Sequence, residues 1–235
     1  LTWYENDGSE VFSGHTISTS AVGIRSVNAC DVDGDGYMDV LSASKNSNKI
    51  AWYKNNGSEV FTEHIVSTSA SEASSVYAND VDRDGDMDFL SASYYNDKIA
   101  WYENNGNEAF TEYIISSSAD GAYSVYSTDV DGDGDMDVLS ASYLDDKIAW
   151  YENDGSEGFT EHSISISADG ARFVYATDVD GDGDIDVLSA SNNDDKIALY
   201  ENNGNEVFTE HTISTSADGA RSVYAADMDG DGDMD

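Results

Sequence analysis

The chain repeats itself every 49 residues without an insertion or deletion, and no other property constrains its fold as tightly. Trp3, Trp52, Trp101, Trp150 and Leu199 keep this spacing, and so do Asp31, Asp80, Asp129, Asp178 and Asp227. Within one unit the pattern reads as short runs of β-branched and aromatic residues bounded by Gly, Asn, Asp and Ser. Phe173–Asp178, Asp186–Ser191, Lys147–Glu152 and Gly158–Ser165 represent the four runs. Asn153-Asp154-Gly155 and its counterparts are hairpin signals, because Asn and Gly tolerate positive φ. No segment sustains a 3.6-residue period, so helices should be nearly absent.

Four short strands in a unit of this length predict an all-β chain, a β-propeller of four-stranded antiparallel blades. A parallel β-helix uses much shorter coils, and an immunoglobulin-like sandwich needs about seven strands per domain. Residues 1–235 are expected to form one propeller domain of about five blades. Leu1 aligns with Ile197 and Asp235 with Asp186, so ten positions matching Val187–Lys196 are missing from five full copies. A five-bladed ring would then lack an interior strand and expose edges, so a fragment of a longer ring is the preferred expectation. The chain begins with Leu1 and stops inside a motif, as a piece of a longer protein would, and a missing signal segment therefore carries no weight.

Each copy carries the pattern D-x-D-x-D-G-x-x-D, in loops at 31–39, 80–88, 129–137, 178–186 and 227–235. Alternate carboxylates on a tight loop converge on one point, and the Gly at position six supplies the sharp turn, which suits a hard divalent cation. The expected ligands at positions one, three, five and nine are Asp31, Asp33, Asp35 and Asp39. They recur as Asp80, Asp82, Asp84 and Asp88, as Asp129, Asp131, Asp133 and Asp137, as Asp178, Asp180, Asp182 and Asp186, and as Asp227, Asp229, Asp231 and Asp235. Position seven is Tyr37 in the first copy and Asp86, Asp135, Asp184 and Asp233 in the others, so its backbone carbonyl is the expected ligand. Positions two and eight stay apolar, as Val32 and Met38 or Val81 and Met87, and should pin the loop to the core. Calcium is favoured over magnesium, about one ion per repeat, because a cage of carboxylates and a carbonyl leaves little room for retained water. Ser42, Ser91, Ser140 and Ser189 stand at position twelve, where an EF-hand has its bidentate Glu.

The run DVDGDGDIDVLSAS, followed by KIALYENNG and FTEHTIS, resembles the FG-GAP/VCBS repeat of integrin α-subunit propellers and of many secreted bacterial proteins. The resemblance spans essentially the whole chain. It implies that the Asp loop joins the first and second strands of a blade and holds calcium there. The literal Phe-Gly and Gly-Ala-Pro signatures are missing, and the chain has no proline. The compact, near-identical copies are most similar to the bacterial extracellular versions, which implies an extracellular or cell-surface location.

The charge balance limits partners. With 48 acidic against 10 basic residues and a net charge of −38, the surface repels nucleic acid and anionic membranes. No apolar run approaches the ~20 residues that span a bilayer, so membrane insertion is not expected. Cys30 is the lone cysteine and has no base beside it in the pattern, so it reads as an idle thiol. His15, His64, His162 and His211 recur at one strand position, with Tyr113 in the remaining copy, and read as cross-strand packing. The Trp series accepts Leu199, which suits packing between blades. Asn56-Gly57-Ser58 is a sequon that also serves as the hairpin turn.

No catalytic residues stand apart from the repeat, so the chain is not expected to be an enzyme. Two positions vary between copies. One is Arg25, Ser74, Tyr123, Arg172 and Arg221, read as the connection entering the first strand. The other is the turn after the second strand, with Lys45-Asn46, Tyr94-Tyr95, Tyr143-Leu144 and Asn192-Asn193. Both should lie on the face opposite the Asp loops. Arg25, Tyr94, Tyr95, Tyr123, Tyr143, Arg172 and Arg221 are the candidate contacts to a ligand, a glycan or a protein. The expected function is a calcium-stiffened, non-catalytic binding or adhesion module. An accessory propeller of a secreted polysaccharide-acting enzyme and a pure scaffold are the alternatives.

Overall fold

A computed structural model describes all 235 residues, and every regular element in it is a β-strand. The chain opens with β1 (Thr2–Asn6) and β2 (Phe12–Thr16), an antiparallel pair. Blade 1 follows, made of β3 (Ile24–Cys30), β4 (Asp39–Ser44), β5 (Lys49–Asn55) and β6 (Phe61–Ser67). Blade 2 holds β7 (Ala73–Asn79), β8 (Asp88–Ser93), β9 (Lys98–Asn104) and β10 (Phe110–Ser116). Blade 3 holds β11 (Ala122–Thr128), β12 (Asp137–Ser142), β13 (Lys147–Asn153) and β14 (Phe159–Ser165). Blade 4 holds β15 (Ala171–Thr177), β16 (Asp186–Ser191), β17 (Lys196–Asn202) and β18 (Phe208–Ser214). Each blade is a simple up-and-down antiparallel sheet, with its strands in chain order.

The four-stranded units are those the turn signals mark out. Full blades number four, however, and the fifth expected blade is represented by β1–β2 at one end and an Asp loop without flanking strands at the other. Blades stack in sequence, first strand beside first strand, and the ring is open. The core lies between blades: Trp52, Leu41 and Ile50 of blade 1 pack with Phe89, Ala100 and Tyr102 of blade 2, and the next two interfaces repeat the arrangement. Trp52 meets Phe110 of the following blade edge-on at 6.2 Å between ring centroids, and Trp101–Phe159 and Trp150–Phe208 follow at 6.3 and 6.5 Å. The Trp series therefore packs between blades.

The histidine series lies on the fourth strand, opposite tryptophan on the third. Trp3–His15, Trp52–His64 and Trp150–His162 stand 4.4–4.7 Å apart, and Trp101–Tyr113 at 4.9 Å. One expectation needs correction. Position two of the Asp loop is buried, as Val32 and Val81 are, but position eight is only partly so: Met38 is 56% exposed and Met87 half-buried. Met87 rests on the interface with blade 1, whereas Met38 faces only the short β1–β2 pair.

Candidate metal centres

In an up-and-down blade, the connection after the first strand and the hairpin after the third lie at the same end. Each of the first four Asp loops therefore sits beside an Asn-x-Gly hairpin of its own blade. In every loop, carboxylate oxygens of positions one, three and nine converge to within 4.8 Å of one another. These are Asp31, Asp33 and Asp39, then Asp80, Asp82 and Asp88, Asp129, Asp131 and Asp137, Asp178, Asp180 and Asp186, and Asp227, Asp229 and Asp235. Oxygens this close can share one ion at the about 2.3–2.6 Å typical of calcium. Asp80 Oδ1 is shielded from solvent and has no hydrogen-bond donor, which suits a metal.

The position-five carboxylates do not join these clusters. Asp35, Asp84, Asp133, Asp182 and Asp231 instead accept the backbone N–H of position seven at 2.7–3.0 Å, a local Asx turn that closes the loop. The side chains of Tyr37, Asp86, Asp135 and Asp184 lie over Gly57, Gly106, Gly155 and Gly204 of the hairpin, where any Cβ would collide with them. Asp233 has the same place in the fifth loop, which has no hairpin after it. Glycine serves twice in these turns, since its φ is also positive.

Position nine is fixed by more than the loop. Asp39 begins β4, is fully buried, and accepts Val32 N at 3.2 Å, Asn55 N at 2.7 Å and Trp52 Nε1 at 2.9 Å. Asp88, Asp137 and Asp186 accept the equivalent two backbone donors. Burial pushes the Asp88 carboxyl up to about 7 and that of Asp137 to about 6, although the backbone donors favour the charged form. Asp39 and Asp186 move upward for the same reason. A divalent cation would offset that desolvation.

The loops are not equivalent. Lys54 stands where the other copies carry Glu, and its ammonium pairs with Asp33 of the first loop and with Glu108. In the fifth loop all three clustered carboxylates are exposed, and Asp235 has only Met228 N as a side-chain partner.

Two further features were not read from the sequence. Asn104 Nδ2 donates to Met87 O of its own blade at 3.2 Å and reaches Val32 O of blade 1 at 3.5 Å; Asn153 and Asn202 repeat this. Each such asparagine ties one blade's Asp loop to that of the preceding blade. Its presence in all five copies, as Asn6, Asn55, Asn104, Asn153 and Asn202, was the available signal. Tyr77, Tyr126 and Tyr175 on the first strands, and Tyr224 beyond the last strand, form a ladder with ring centroids 4.6–5.2 Å apart.

At the opposite end of the blades, the two variable positions meet. Arg25, Tyr123 and Arg172 lie on the first strand rather than in the connection before it, each as the extra residue of a β-bulge. A bulge re-aims the side chain it carries. These three, with Tyr94 and Tyr143 from the turns, line a cavity of about 270 Å³ that Lys45 and Glu72 complete. Tyr95 is 72% exposed and does not line it, and Arg221 lies on the exposed last copy outside it. Ser74 takes the bulge of blade 2 and is spent on Ala92 O and Ala122 O, at 3.0 and 2.8 Å. Burial pushes the Cys30 thiol up to about 12, in keeping with an idle side chain. Asn56 Oδ1 accepts Ser58 N at 2.9 Å within the hairpin.

Four-stranded blades stacked in register, each closed by an oxygen-rich loop able to hold a metal, define a β-propeller repeat protein. The sequence profile of the FG-GAP-like repeat matches residues 1–42, 31–91, 80–140, 129–189 and 178–235, and the chain belongs to that family. No curated protein sequence matches it. Solved structures share the fold at low identity. A Lactobacillus plantarum protein is 15% identical with a TM-score of 0.61, over 88% of this chain and 60% of that one. A functionally unknown Desulfotomaculum acetoxidans protein is 14% identical with a TM-score of 0.59, over 91% and 62%. The V. cholerae biofilm matrix protein Bap1 is 19% identical with a TM-score of 0.56, over 85% and 30%. The chain thus spans between 30% and 62% of these proteins' lengths. No helix is long and apolar enough to cross a membrane.

Proposed function

We propose that the chain is a calcium-binding, non-catalytic β-propeller module that works outside the cell and presents one face to a glycan or protein. The convergence of three aspartates in each of five loops carries this reading. Calcium suits these loops better than magnesium, whose shorter bonds demand near-octahedral geometry and retained water. Five ions of charge +2 would take the net charge from −38 to −28 and relieve the repulsion inside each loop. Calcium is then a structural clip between the first two strands of a blade. Extracellular modules bind calcium at about 10⁻⁴–10⁻³ M, within reach of such shallow sites. An extracellular setting also agrees with the biofilm-matrix role of one protein sharing the fold.

Half of the 48 acidic residues recur in the Asp loops, and an enzyme would need a cluster peculiar to one blade. The decisive experiment is a melting curve in calcium, in magnesium and in excess chelator, followed by a glycan array in calcium. Calcium should raise the melting temperature well above the chelated value, because an ion bound by the native state alone stabilises it. Identical curves in calcium and chelator would sink the metal reading, and a blank array together with no captured protein would leave a scaffold.

A further inference from the structure

In a chain with 48 acidic residues, cations should find carboxylates easily, and all six lysines do. None of the four arginines forms an ion pair, and two of them, Arg25 and Arg172, stand in the same cavity. Both guanidiniums lie against the ring of Tyr123, at 5.2 and 4.8 Å from its centroid. Arg172 also lies 4.9 Å from the Tyr143 ring, and its Nη1 donates to Tyr123 Oη at 2.9 Å. The only carboxylate lining the cavity, Glu72, is taken by Lys45 at 2.9 Å. The lining therefore carries a net charge of +2 in a protein of net charge −38. Two like charges on one ring without a carboxylate partner make a field that favours an anion.

The walls say which anion. Tyr94, Tyr123 and Tyr143 form a triangle, each pair of ring centroids 6.3 Å apart. Tyrosine offers an apolar face to a ring and a hydroxyl to its polar substituents. A planar guanidinium matches a carboxylate with two parallel donors. The cavity, about 270 Å³, lies below the ~300–1,000 Å³ of drug-sized sites and is large enough for one sugar ring. The Asp loops do not spoil the field. A seven-residue strand such as β3 separates the two ends by ~20 Å, while the Debye length at physiological salt is ~8 Å.

The geometry points to a binding site for a carboxylate-bearing sugar, a uronic acid, in the cavity between Arg25, Arg172 and the three tyrosines. This rests on reading the chain as a binding module, and it names that module's ligand class.

The test titrates the full chain in calcium with glucuronate, glucose and inorganic phosphate, by calorimetry and by saturation-transfer NMR. Glucuronate should saturate one site, with glucose and phosphate each about tenfold weaker or worse. Arg25→Gln and Arg172→Gln should each weaken glucuronate by about tenfold, and Arg221→Gln, outside the cavity, should not. Equal binding of glucose, phosphate as tight as glucuronate, no saturable glucuronate binding, or full affinity in both cavity variants overturns the site. Melting curves of the same samples separate the two readings. Calcium stabilisation without glucuronate binding removes this inference and leaves the metal module standing.

Discussion

Trp52 Nε1 donates to Asp39 Oδ2 across 2.9 Å, linking the third strand of blade 1 to the last carboxylate of its metal loop. The tryptophan thus packs against the next blade with its ring and holds the Asp loop with its one polar atom. In blade 4 the same place is Leu199, and Asp186 keeps only its two backbone donors.

Trp52→Phe keeps an aromatic ring between the blades and removes the donor. A hydrogen bond to a charged group is worth about 1.5–3 kcal/mol, so the variant should lose about that much stability in urea denaturation. An unchanged denaturation midpoint for Trp52→Phe would show the indole bond to be idle.

Asn153 connects two metal loops. Its backbone N–H donates to Asp137 Oδ1 at 2.8 Å, while Nδ2 donates to Met136 O at 3.1 Å and to Val81 O of the preceding blade at 3.4 Å. Asn153→Ala keeps the first bond and loses the others. Leaving buried carbonyls unpaired costs about 1–3 kcal/mol, and the loss should appear as faster amide exchange in both blade 2 and blade 3. Faster exchange confined to blade 3 would argue against a tie between blades.

The difference between Asp39 and Asn153 shows what a sequence of this kind reveals. The Asp loops, the four strands and the tight turns are local, written in Asp, Gly and Asn at short spacing, and a 49-residue period repeats the message. The placement of the variable residues at one end also follows from strand order alone. Contacts reaching 72 residues back, such as Asn153 to Val81, depend on how blades nest, and no local pattern encodes that nesting. The sequence pattern puts Arg25 before its strand because a β-bulge leaves no sequence mark beyond a variable residue. The apolar pattern of positions two and eight puts Met38 in the core with Val32, but its burial depends on how much of the neighbouring sheet covers it.

The five loops should bind calcium unequally. The second, third and fourth keep buried position-nine carboxylates and carry no lysine against their clustered aspartates. The first has Lys54 on Asp33, a fixed cation that competes with the metal, and the fifth is exposed throughout. Calorimetry on the 235-residue chain should therefore resolve three tighter and two weaker sites. Lys54→Glu restores the residue type of the other copies and should convert the first site, giving four tight sites. Five indistinguishable sites in the unaltered chain would contradict this ranking.

Metal and protons compete for the same buried carboxylates, and the sign of the pH dependence follows. Asp88 has an ordinary value of 3.8 when unfolded, raised by burial to about 7 in the folded chain, and Asp137 rises to about 6. Without metal, the folded state thus holds these protons more tightly than the unfolded state. The resulting stability is complete below the unfolded value and is lost as pH rises through the folded one. In excess chelator the melting temperature should fall between about pH 5 and about pH 8. In saturating calcium the cation replaces the proton as the neutralising charge, so the gain from calcium should widen over the same interval. Melting curves at the two pH values, with calcium and with chelator, measure that gain directly. A gain that is constant or shrinking toward high pH would mean that these aspartates are not where the cation binds.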